Sequence, residues 1–157
     1  MTATGDRSLP PGPLRTAGRR QARERALELL YEADMKQVAP STVVAALGAP
    51  PLHFTVDLVS GVEAHATEID GLLRRLARTW ALERMPALDR AVLRLATYEL
   101  GWRPDVPTEA VIAEAVELAG AFSTDESARF VNGVLARAAE ELGRPLGRAP
   151  AGSRPGR

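Results

Sequence analysis

The residues best equipped for chemistry in this chain are cationic rather than nucleophilic. Arg19-Arg20-Gln21-Ala22-Arg23-Glu24-Arg25 places four arginines within seven positions. On a helix, Arg19 and Arg23 are four apart and share a face, and Arg20 widens the patch sideways. A helix N-terminus offers free backbone N–H groups and the positive end of the macrodipole, so it favours anions. Cations in a first turn are mildly unfavourable there, and a polyanionic ligand would relieve that local conflict. The alternative is a solvated face with Glu24 and Glu28 as ion-pair partners. Basic runs are generic, and on charge alone the solvated face is the commoner outcome.

A second unusual stretch is Ser127-Ala128-Arg129-Phe130-Val131-Asn132-Gly133-Val134-Leu135. Helical spacing assigns Val131, Val134 and Leu135 to a core stripe and leaves Phe130 and Asn132 on its flanks. Gly133 inside a helix costs about 1 kcal/mol relative to alanine, which suggests close approach of another helix or a partner. Phe130 has two readings. It can seal the edge of the core, the reading periodicity favours. If exposed, it would form with Arg129 a stacking platform for an unpaired base.

Enzymatic constellations are missing. There is no cysteine, and the two histidines, His53 and His65, lie twelve positions apart. Neither a thiolate nor a zinc site is expected. No glycine-rich phosphate loop, nucleophile elbow or HExxH pattern occurs. The carboxylate pairs Asp125–Glu126 and Glu140–Glu141 fall at helix ends, where dipole and solvent account for them. A non-enzymatic protein without metal or cofactor is the expectation.

The elements that must hold these residues are helical. The chain has 157 residues, enough for one domain with a real core. Alternation is absent and aromatic residues are scarce, so no strand is expected. The helical readings run from about 17 to 37, from Ser41 as a cap to Leu47, and from about 52 to 66. Thr67 then offers a fresh cap, leaving one bent helix or two open. Further helices follow from Pro86, from Thr108 to Phe122, and after a Ser123 or Thr124 cap. The helix ALDRAVLRLATYELGW is apolar on more than one face, so it should be central and packed from several sides. The expected fold is all-α, with about six to seven helices in two small bundles sharing a core.

Charge is uneven beneath a formal net charge of zero. Residues 1–25 hold six arginines against two acids, and residues 143–157 hold four arginines and no acid. The segment between holds ten basic against eighteen acidic residues. Residues 1–17 and 143–157 read as disordered basic ends around a helical domain over 18–142. No apolar run reaches the eighteen or so residues of a membrane span, and no signal core is present. A soluble, cytoplasmic protein is expected.

Four stretches, RRQARERALELLYE, LDRAVLRLATYEL, VPTEAVIAEAVELA and RFVNGVL, resemble, in order and spacing, the bacterial NusB family of transcription antitermination factors. The resemblance covers residues 19–142. It implies an all-helical fold of two three-helix-type subdomains, and binding of boxA-type single-stranded RNA in ribosomal RNA leader transcripts. It also implies partnership with the ribosomal protein NusE in a complex that helps RNA polymerase pass terminators, and a homodimeric form in some members. Carried over by position, Arg19, Arg20 and Arg23 would contact phosphates. Tyr31 would lie near the RNA surface, although its place on the apolar stripe makes a core role as good. Asp89 and Glu126 match acidic positions near that surface, and Phe130, beside Arg129, matches an aromatic able to stack a base. Gly120 and Ala113 depart from the lysine and asparagine common in the family, which implies weaker RNA affinity without a partner. Two other readings stand beside this one: a helical protein–protein scaffold, and a detached domain related to one that heads some ribosomal RNA cytosine methyltransferases.

Overall fold

The structure, a computed structural model, describes residues 13–144 and 146. Among the described residues it forms seven helices and no strand: α1 (Pro13–Lys36), α2 (Pro40–Ala45), α3 (His53–Ala64), α4 (Ala66–Leu76), α5 (Ala87–Trp102), α6 (Thr108–Phe122) and α7 (Asp125–Glu141). Helices α1, α2 and α3 pack on one another, and α6 and α7 form a second group with α4. Helix α5 joins the two, touching α1, α3, α4, α6 and α7. Its residues Ala91, Val92, Leu93, Leu95, Ala96 and Leu100 are all buried, as its wide apolar wrap requires. One continuous core results, from Ala26 on α1 to Ala139 on α7. The all-α, two-bundle expectation is met.

Several boundaries differ from the sequence reading, each for a local reason. Helix α1 begins at Pro13, inside the segment read as a disordered arm; residues 1–12 lie outside the described residues. Ser41 does not cap α2. Its N–H and Oγ instead donate to Glu63 Oε1 at 3.3 and 2.9 Å, tying α2 to α3, while Pro40 starts the helix. Helices α3 and α4 are distinct, broken at His65 (φ −111°, ψ 20°), so Thr67 is no cap. Thr124 caps α7 by accepting from the Ser127 N–H at 3.0 Å.

The tail begins later than composition suggests. Gly143 adopts a left-handed φ of 71°, and the Arg144 N–H donates to Ala139 O at 2.7 Å, the closing bond of a Schellman turn. Arg144 Nη1 then donates to the carbonyls of Glu99, Leu100 and Arg103 at 3.1, 3.0 and 3.2 Å. Those carbonyls lie at the end of α5, where those of Glu99 and Arg103 also accept the N–H groups of Arg103 and Val106, and Nη2 takes Val106 O as well. One close approach decides the seam between α3 and α5. A Cβ on Gly61 would lie 2.0–2.5 Å from the Tyr98 ring, so only glycine admits that aromatic.

Candidate nucleic-acid interface

Helix α1 lays its arginine cluster against α5, α6 and the loop between them. That packing supplies a carboxylate for Arg19, Arg20 and Arg23. Arg23 is 4% exposed and Glu99 2%. Arg23 Nε lies 3.1 and 3.0 Å from the two Glu99 oxygens, and Nη2 lies 2.8 Å from Oε1. Arg23 is therefore held in the core by α5 and does not face a phosphate in this structure. The physical reason is that the stripe carrying Ala22, Ala26 and Leu27, all buried, also carries position 23 inward. A carboxylate on a helix wrapped in apolar residues needs a buried cation, and Glu99 in α5 was the available signal.

Arg19 and Arg23 share a face as their spacing requires, and what they share is an aromatic ring. The guanidinium carbons of Arg19, Arg23 and Arg103 lie 4.9, 5.5 and 5.1 Å from the Phe54 centroid, within cation–π range. Arg19 Nη2 stands 3.6 Å from Asp105 Oδ2, and Arg103 grips the same carboxylate with two bonds of 3.1 Å. Those hydrogen bonds hold the Asp105 carboxyl below the usual carboxylate range. Arg20 is more open. It contacts Glu114 at 3.3 and 3.4 Å and also pairs with Glu117, both on α6. The hydrogen bond to Glu114, then that carboxylate's charge, hold Arg20 more firmly protonated. Arg25 pairs with Glu28 at 2.9 Å. Of the two acids weighed as solvated partners, Glu28 is engaged so.

The remaining candidates divide between core and surface. Tyr31 is 40% exposed, so it lies off the core stripe, which Leu29 joins instead. Asp89 is fully buried and accepts a 2.7 Å hydrogen bond from Ser127 Oγ, while its Oδ1 has no partner. It was expected near the RNA surface; burial makes it a support for the first turn of α7 instead. Ser127 Oγ also contacts the hydroxyls of Ser123 and Thr124 at 3.0 and 3.1 Å. This network fixes the turn from which Glu126 and Arg129 project into solvent. Phe130 is half-buried at the core edge. Its ring meets Trp80 edge to face, with centroids 5.1 Å apart at 65°.

Trp80, in the connection between α4 and α5, was not singled out from sequence. At Gly133 no neighbouring helix makes the close approach that was one of its two readings: a Cβ there would meet only Arg137 Nη1 at 3.7 Å. Gly120 is similarly roomy, with Ala128 Cβ at 3.7 Å, so packing does not forbid a longer side chain at that position. The exposed ends of these elements, basic and aromatic by turns, can contact an anionic, planar ligand. Among the described residues, no helix is long and apolar enough to cross a membrane.

The wider comparisons agree with this architecture. The transcription antitermination protein NusB of Kineococcus radiotolerans is 48% identical over 128 residues, covering 79% of this chain and 94% of its own. A solved NusB from T. maritima superposes with a TM-score of 0.71 at 32% identity, covering 78% of this chain and 91% of that one. The same fold occurs in a chain from a crystal structure of antitermination factors NusB and NusE in complex with dsRNA, at TM-score 0.69 and 24% identity over 80% of this chain and 98% of that one. Residues 20–140 match the family model for NusB, so this chain belongs to the NusB family.

Proposed function

We propose that this protein is a non-enzymatic RNA-binding adaptor of bacterial transcription. It binds boxA-like single-stranded RNA in ribosomal RNA leaders together with NusE, within a polymerase antitermination complex in the cytoplasm. The observation that carries the reading is the family match across residues 20–140, which spans both bundles and every candidate site residue except Arg19. The geometry supports it at two places. Arg129 is exposed directly before Phe130, and Arg20 sits on the surface held only by Glu114 and Glu117. Surface ion pairs are weak, so phosphates can replace those carboxylates. Arg23 takes no part, being committed to Glu99.

The test is binding to a boxA-like strand and to a scrambled one across salt, with and without NusE. Neutralising about three phosphates on a single strand gives a log–log salt slope near −2. Tighter binding of the boxA-like strand in the presence of NusE is expected. Equal affinity for both strands under that condition refutes sequence-specific recognition.

A further inference from the structure

The chain leaves α7 beside the arginines with which α1 begins. At the start of α1, Arg19 Nη2 stands 3.6 Å from Asp105 Oδ2, in the connection between α5 and α6. Arg20, next in sequence, turns to Glu114 and Glu117 on α6. After α7, Arg144 donates to Arg103 O at 3.2 Å and to Val106 O, on either side of Asp105. One short loop thus anchors both the basic start of α1 and the residues that follow α7. Leu146, two positions on, is exposed.

Charge at this pole is already matched within the fold. Asp57 and Asp105 are held by Arg103, Glu99 by Arg23, and Glu114 and Glu117 by Arg20. Arg144 is held by carbonyl oxygens, which carry no unit charge to offset its own. Residues 147–157 lie outside the described residues; their sequence adds Arg148, Arg154 and Arg157 and no acid. Four residues of chain span at most about 14 Å, so Arg148 is tethered close to the pinned Arg144. Further cations are therefore brought to a region whose carboxylates are engaged. At 0.1 M salt, charges within about 10 Å still feel one another, and an external polyanion supplies the negative charge that the fold does not.

We propose that Arg148, Arg154 and Arg157 bind phosphates of the RNA strand held at the start of α1, extending the contact to neighbouring nucleotides. The proposal rests on the RNA-binding reading above and adds to it a second grip that does not read sequence. Phosphate contacts position a strand without discriminating between bases, so this grip tightens every single strand alike. The same arginines laid on the acidic body of the chain would instead compete with RNA, and their removal would then leave affinity unchanged or raise it.

The test compares the native chain with Arg148→Gln/Arg154→Gln/Arg157→Gln, each with NusE, on the boxA-like and scrambled strands across salt. The three phosphates counted above give a log–log slope near −2, and three more at about 0.7 each bring the native slope near −4. The glutamine variant should return the slope to near −2. It should weaken both strands by the same factor, about 100-fold at 0.1 M salt, with the difference closing toward 1 M. Its melting temperature and its preference for the boxA-like strand should be native. The matching lysine variant should restore most of the affinity, because charge and not guanidinium shape is what the contact uses. A slope and affinity unchanged in the glutamine variant, tighter binding by it, or a loss confined to the boxA-like strand overturns the second grip and leaves the RNA reading intact. No RNA binding by the native chain with NusE present overturns both.

Discussion

Consider replacing Arg23 with alanine. In the native protein this guanidinium lies 2.8 Å from Glu99 Oε1 through Nη2 and about equally near both oxygens through Nε. Both side chains are almost fully out of solvent. Truncation leaves the Glu99 carboxylate uncompensated in the core, and losing one partner of a buried ion pair costs about 3–5 kcal/mol. A domain has about 5–15 kcal/mol of stability in all, so the variant should fold but melt early. At about 3–5 °C per kcal/mol, the midpoint should fall by about 10–25 °C. Glu99→Ala should be comparably damaging, since it strands the arginine. The double variant Arg23→Met/Glu99→Leu should recover most of the loss, because exchanging a whole buried pair for apolar volume is often neutral or better. Thermal and urea unfolding followed by circular dichroism completes the cycle. The double variant should also keep the native RNA salt slope, having lost no phosphate contact. If Arg23→Ala instead unfolds within about 1 kcal/mol of native and flattens the slope by about 0.7, the arginine swings out to RNA and the core assignment is wrong.

Other perturbations follow from the same geometry. Gly61→Ala drives a methyl to within 2.0–2.5 Å of the Tyr98 ring; overpacking of this kind costs about 1–3 kcal/mol or more, and Tyr98→Leu should partly restore the unfolding midpoint. Thr124→Ala removes the α7 cap, with an expected loss of about 0.5–2 kcal/mol in urea unfolding. Burial, then the nearby Asp57 charge, raises the Tyr98 phenol above its ordinary value of 10.0. The folded state thus holds that proton longer than the unfolded chain, so its contribution is complete below pH 10 and is lost as pH rises through the higher folded value. Denaturation midpoints between about pH 8 and 12 should fall less steeply in Tyr98→Phe; identical profiles would exclude Tyr98 as the source.

Much of the fold is legible in the sequence because it depends on spacing within one segment. The limits of α5 and α6 follow from Pro86, Pro107 and an apolar period, and Thr124 marks the start of α7 by its own side chain. Ser41 and Thr67 show where local signals mislead: each has the chemistry of a cap, yet Ser41 finds Glu63 across the bundle and Thr67 follows a break already made at His65. The site was less legible. Its residues were found by resemblance and local density, and neither carries information about facing carboxylates.

What the sequence determines by itself is a helical chain with a central, all-round apolar α5, a basic start to α1, and the motifs of the NusB family. Tertiary structure decides which charges remain available. Glu99, Asp105, Glu114 and Glu117 lie 76 or more positions from the α1 arginines they meet, so only docking of α1 on α5, α6 and the loop between them brings them together. The same docking sends Arg23 into the core, and the Asp89–Ser127 contact steadies α7 from beneath. Charge is a property of residues, but availability is a property of packing: a buried ion must be paired and, like Arg23 on Glu99, is withdrawn from ligands, whereas a surface pair such as that of Arg20 stays open to exchange. Within the dense cluster Arg23 is therefore structural, while among the described residues Arg78, Arg84 and Arg129 are exposed and outside any ion pair.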